Sequence, residues 1–125
     1  MRLVLSEEEV AELVKKYFSE EENMEVNVNI RKDWNFVSPL GGGERYAEVT
    51  IEVEGEIELA GGKRKFSKNL TLSELENLFI HFMDKEGFKF KGLHWDVSVN
   101  DSKNTIQCNG LKINAEKQLI NSKKR

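Results

Sequence analysis

The chain has 125 residues, 38% of them hydrophobic and 33% charged, with a formal net charge of −3. That is the length of one ordinary domain, able to bury roughly two-thirds of its unfolded surface without a metal or disulfide. A lone cysteine, Cys108, excludes an internal disulfide and a cysteine-rich zinc site, and no apolar run approaches the ~18 residues of a membrane span. The opening Met1 to Leu5 runs straight into acids without the apolar stretch of a signal peptide, so a cytoplasmic location is expected. Charge is uneven along the chain. Residues 1–60 carry 15 acids and 6 bases, whereas residues 61–125 carry 7 acids and 13 bases. Such asymmetry marks either a charged partner or two halves that neutralise each other across one sheet, and the second reading is preferred here.

The first helix announces itself. Ser6 and Glu9 form a capping box, Leu5 and Val10 a hydrophobic staple, and Glu7 to Glu9 suit the positive end of the helix dipole. Val10, Leu13, Val14, Tyr17 and Phe18 recur on one face, predicting a helix over about 7–19. Met24, Val26, Val28 and Ile30 then alternate with polar residues as in a half-buried strand. Residues 31–45, with Pro39 and Gly41-Gly42-Gly43, read as one long irregular loop.

A long strand follows from Tyr46 to Ala60. Val49, Ile51, Val53, Ile57 and Leu59 take one face, and Glu48, Glu52, Glu54, Glu56 and Glu58 take the other; Gly55 marks a bulge or a close approach. Gly61-Gly62 suits a two-residue hairpin turn setting Ile57 opposite Phe66, Val53 opposite Leu70 and Glu58 opposite Lys65. The second helix repeats the first one's opening, with Thr71 and Glu74 as capping box and Leu70 and Leu75 as staple. Leu75, Leu78, Phe79, Phe82 and Met83 form its stripe and Gly87 its C-terminal stop. Ser6 and Thr71 lie 65 residues apart with aligned stripes, so either an internal duplication or the shared physics of well-capped helices accounts for the likeness.

The remainder reads as a meander. Leu93 to Asn100 alternates, Asp101 to Asn104 turns, and Asn109-Gly110 is the strongest short hairpin signal, setting Ile106 opposite Ile113 and Cys108 opposite Leu111. Ala115 to Arg125 would add a helical turn through Leu119 and Ile120. The expected architecture is an α+β domain over 1–118, a mostly antiparallel sheet with two amphipathic helices packed on one face, followed by a basic, frayed tail over 119–125.

The chemistry-bearing residues are few. His81, His94 and Cys108 stand at no metal-ligand spacing, so no metal or cofactor is expected. His94 and Asp96 share a strand face, which reads as a solvated pair rather than an acid–base couple. There is no nucleophile elbow, and Cys108 falls on an apolar face, where cysteine acts as a small hydrophobe. No catalytic residue is assigned. The pI of about 5.5 argues against direct nucleic-acid binding. Two binding features remain. One is the segment 31–46, whose Arg31, Lys32, Trp34, Phe36, Gly41, Gly42, Gly43, Arg45 and Tyr46 combine cations, aromatics and backbone freedom. The other is the carboxylate series Glu48, Glu52, Glu54, Glu56 and Glu58, for which neutralisation by Lys63, Lys65 and Lys68 is the preferred account.

Leu5-Ser6-Glu7-Glu8-Glu9-Val10, its amphipathic helix, the strand through Val26 and Ile30, the Gly-rich segment and Ala47 to Glu54 resemble many small, uncharacterised phage and prophage α+β proteins over residues 5–58. The resemblance implies a mobile-element origin and a role in managing host defence, and it carries no functional residue across. The expected function is a non-catalytic binding or accessory protein acting by protein–protein contacts, a homodimer being compatible with them, and in its sharper form an acidic inhibitor of a host nucleic-acid-binding or defence protein. The alternative is a small-ligand, nucleotide-like binding protein that uses segment 31–46.

Overall fold

A computed structural model describes residues 1–36 and 45–118. In chain order the elements are β1 (Arg2–Leu5), α1 (Glu7–Glu21), β2 (Val26–Phe36), β3 (Arg45–Leu59), β4 (Gly62–Asn69), α2 (Leu72–Lys85), β5 (Phe88–Asn100) and β6 (Thr105–Lys117). Both helices start where the side chains dictate. The Ser6 hydroxyl accepts from the Glu9 N–H at 3.1 Å while Glu9 accepts from the Ser6 N–H at 2.9 Å. Thr71 and Glu74 repeat this at 3.1 and 3.0 Å. Each box satisfies donors that a helix start leaves unpaired.

The fold is α+β, but its strands divide between two antiparallel three-stranded sheets, ordered β1-β6-β5 and β2-β3-β4. The single sheet expected from the sequence is thereby corrected. Periodicity sets which face a residue takes; it does not say which strand lies beside which. β1, not anticipated at all, pairs with β6 from Arg2↔Asn114 to Leu5↔Leu111. One core joins both sheets and both helices. α1 contributes Val10, Val14 and Phe18, α2 contributes Leu75, Leu78, Phe79 and Met83, and the strands contribute Val26, Ile51, Val53, Leu111, Ile113 and Ala115. Apart from Ala115, each such side chain contributes roughly 1.5–3 kcal/mol on leaving water.

Three local expectations change. First, the supposed loop begins as strand: Arg31 to Phe36 pair with Arg45 to Thr50 in an unbroken ladder. Gly41 to Gly43 lie outside the described residues, as do Leu119 to Arg125. Secondly, the β3–β4 turn sits on Ala60-Gly61 and the positive φ of +119° falls on Gly62. The register therefore runs Ile57↔Arg64, Val53↔Lys68 and Glu58↔Lys63. It differs by two residues from the expected one, so every side chain keeps its expected face while its cross-strand neighbour changes. Gly55 does mark a close approach, since a Cβ there would lie 2.9 Å from the Glu25 carbonyl oxygen.

Thirdly, Asn109-Gly110 makes no hairpin. β6 runs straight through it, and the helical turn expected from Ala115 is replaced by strand as far as Lys117. The β5–β6 register shifts between Phe90 and Gly92 and returns between Trp95 and Val97, where Asn109 and Gly110 both oppose Asp96. This is a bulge, and its glycine holds φ +112°. The positive-φ preference that makes Asn-Gly a turn signal serves a bulge equally well. A Cβ on Gly110 would sit 2.4 Å from the Leu5 carbonyl oxygen of β1.

Gly110→Ala therefore meets both a strained φ and a backbone clash. It should cost at least about 2 kcal/mol and lower the melting temperature by roughly 8 °C. Gly61→Ala, where a Cβ meets nothing within 4 Å, should stay within about 0.5 kcal/mol of wild type. Thermal unfolding of the two variants checks the pair.

Candidate interaction face

The described side chains of segment 31–46 do not gather at one place. Successive strand residues point to opposite faces, so Arg31, Asp33 and Tyr46 stand on the outer side of the β2-β3-β4 sheet, and Lys32, Trp34 and Arg45 on the other. Each cation is already engaged. Arg31 reaches Glu52 at 2.8 Å and Asp33 at 3.2 Å. Lys32 crosses to Glu7 in the first turn of α1 at 2.8 Å. The Arg45 guanidinium lies over the Trp34 ring, 3.9 Å from its centroid, and 3.6 Å from Asp101 at the β5–β6 turn. One face of the Trp34 ring is thus covered by an arginine.

Apart from Tyr46, the outer face of the same sheet is polar. β2 supplies Asn27, Asn29, Arg31, Asp33 and Asn35; β4 supplies Lys63, Lys65, Ser67 and Asn69. Between them β3 presents Glu48, Glu52, Glu54, Glu56 and Glu58. The first two carboxylates are held by neighbours: Glu48 accepts from Asn35 at 2.6 Å, and Glu52 from Asn29 at 3.1 Å as well as Arg31. Glu54, Glu56 and Glu58 are exposed, and among the described residues no hydrogen bond or ion pair reaches them. Lys65 and Lys63 stand opposite Glu56 and Glu58 in the ladder without closing an ion pair. Together with Lys15, Asn23, Glu25, Asn27 and Lys63, these three glutamates line an open groove of about 660 Å³ beside the end of α1.

Lys68 does not belong to this face. It lies on the opposite side of β4 and pairs with Glu74 at the start of α2. That contact, with the Thr71 backbone N–H, holds the Glu74 carboxyl below its ordinary value of 4.5. The neutralisation expected from Lys63, Lys65 and Lys68 is therefore not what the side chains do.

The titratable residues outside this face are scattered. His81 packs edge-on against Tyr17 and Phe82, with ring centroids 5.6 and 5.3 Å away. Its Nε2 is buried without a hydrogen bond, 3.5 Å from the Glu21 carboxylate. His94 is exposed, and Asp96 turns to Lys112 at 3.6 Å, so no bond joins the two. Burial raises the Cys108 thiol above its usual range. Among the described residues no three of His, Cys, Asp and Glu converge as metal ligands, and no helix is long and apolar enough to cross a membrane. Comparison with family models, curated proteins and solved structures finds no match.

The depressed Glu74 carboxyl links stability to pH. A lowered folded-state value stabilises the fold above pH 4.5, and that contribution is lost as pH falls through the folded value. Lys68→Met should therefore melt below wild type at pH 7, with the gap closing towards pH 3. A gap that is constant with pH would show that packing of the lysine stem, not its charge, is what is lost.

Proposed function

We propose that this chain is a non-catalytic binding protein that presents the outer face of its β2-β3-β4 sheet to a basic protein surface. The observation that supports the reading is the state of β3: Glu52, Glu54, Glu56 and Glu58 at alternate positions, with Glu48 beyond Thr50, on a sheet face that no described residue covers, and three of them without a hydrogen bond or ion pair among the described residues. Alternate residues of a strand recur every ~6.6 Å, so these carboxylates leave the backbone at regular intervals. Like charges set in a row gain when a complementary positive surface takes them up, and they speed the encounter as well as fixing its register.

A surface of regular negative charge competes naturally with nucleic acid for the same basic groove. This fits the reading as an inhibitor of a host nucleic-acid-binding or defence protein, of the kind expected from a mobile-element origin. The contact is electrostatic, so it weakens with salt.

Capture experiments at 50 and 300 mM salt test the reading. The wild-type protein should retain a basic host protein at low salt and release it on addition of duplex DNA. The triple variant Glu54→Gln, Glu56→Gln, Glu58→Gln should keep its circular dichroism spectrum and lose at least about tenfold in affinity, or roughly 1.4 kcal/mol. Retention of the same partner by the variant, undisturbed by DNA, would remove the sheet face from consideration.

A further inference from the structure

The 65-residue spacing between the two capping boxes extends well beyond the caps. Read from β1, the chain runs strand, helix, strand, strand; read from β4, it runs strand, helix, strand, strand again. A shift of 65 carries the buried α1 residues Val10, Val14 and Phe18 onto the buried α2 residues Leu75, Phe79 and Met83. A shift of 60 carries Ile51 and Val53 of β3 onto Leu111 and Ile113 of β6.

The pairing obeys the same two shifts. β1 lies on β6 with Arg2↔Asn114 and Leu3↔Ile113. β4 lies on β3 with Ser67↔Glu54 and Lys68↔Val53. Leu5↔Leu111 is answered by Leu70, whose N–H donates to the Ile51 carbonyl at 2.9 Å. In the hairpins, Val28↔Val53 and Ile30↔Ile51 correspond to Leu93↔Ile113 and Trp95↔Leu111. Caps and alternation recur for generic reasons; a common register that matches all four strand pairings two by two does not.

The first strand of each unit is not paired within that unit. β1 joins the hairpin β5-β6, and β4 joins the hairpin β2-β3. The exchange is reciprocal, as a two-fold axis requires. Contacts near such an axis come in mirrored pairs, and the helices show one. Tyr17 meets its counterpart Phe82 with ring centroids 6.3 Å apart. Lys16 sits 5.6 Å from the Phe82 ring, and its counterpart His81 sits 5.6 Å from the Tyr17 ring.

We infer that residues 1–60 and 61–118 are two copies of one β-α-β-β unit, fused as an internal two-fold dimer, and that the partner each unit is built to bind is a second unit of the same kind. The binding surface is the free edge of the unit's last strand together with its inward apolar residues, Ile51 and Val53 in one unit and Leu111 and Ile113 in the other. It takes the partner's first strand in the register given above. The inference stands apart from the proposed function, because it concerns the inner surfaces and not the outer glutamates. It also bears on them, since Glu52 and Glu54 correspond to Lys112 and Asn114. The scaffold does not need acids at those positions.

Two forms of the full chain test this. In one, a protease site is inserted at the exposed Ala60-Gly61 turn and the protein is cut after folding. The two pieces should remain one particle of the size of the 14.4 kDa chain and part only in denaturant. In the other, the chain is permuted to begin at Gly61, run through Arg125 into Met1 and end at Ala60. Met1 already exchanges hydrogen bonds with Ala115 at 2.8 and 2.9 Å, so the new junction joins antiparallel neighbours, as the old turn did. The permutant should be monomeric, keep its far-ultraviolet spectrum and melt within roughly 10 °C of wild type. Cut halves that separate as independently folded monomers would overturn the exchange. A permutant that does not fold, while the cut chain stays assembled, would overturn the two-fold equivalence.

Discussion

The pairing of β1 with β6 and of β4 with β3 is the constraint on which the rest depends. Without it each helix would cover a two-stranded hairpin, and an isolated hairpin is marginal in water. With it, each hairpin gains a third strand from the other part of the chain, and the inner residues Ile51, Val53, Leu111 and Ile113 become central to a sheet instead of lying at its edge. The Gly110 bulge shows how tightly the closure fits, since the β6 backbone approaches the Leu5 carbonyl too closely for any side chain at that position.

This closure also explains where recognition chemistry is to be found. The buried apolar side chains hold two sheets and two helices around one core, and the long cations Lys32, Lys68 and Arg45 are drawn into ion pairs or ring contacts across element boundaries. What stays uncommitted lies on the outside. Of the free carboxylates of β3, Glu54 stands where the strand is paired on both sides, with Asn27 and Ser67, whereas Glu56 and Glu58 lie beyond the end of β2, where β3 pairs with β4 alone.

Much of the fold was legible in the sequence. Both helices, with their caps and buried faces, follow from side chains within a few residues of one another, as do the alternating faces of β2, β3 and β5. Most of the errors concern non-local partnership. Four residues at Arg2–Leu5 carry no strand signal of their own, and their partner lies more than a hundred positions away. Asn109-Gly110 encodes a positive φ and leaves open whether a turn or a bulge uses it. The Gly61-Gly62 pair pointed to a turn on those two residues, and the chain turns one residue earlier, on Ala60-Gly61, which moves the register by two and keeps every face. Segment 31–36 looked irregular because Asp33 and Asn35 are poor strand formers; they occur at outward positions of β2, where such residues are tolerated. The candidate site was half visible: the glutamate face was plain from alternation, whereas the failure of Lys63 and Lys65 to pair with it, and the diversion of Lys68 to Glu74, needed coordinates.

Amide hydrogen exchange measured by NMR tests the central claim most directly. If reciprocal strand exchange ties the chain into one body, the slowest amides of the β1–β6 and β3–β4 ladders will share one opening free energy equal to that of global unfolding, and both ladders will respond alike to denaturant. Protection of β4, α2, β5 and β6 that outlasts the loss of β1 and α1 by a separate, larger free energy would contradict it.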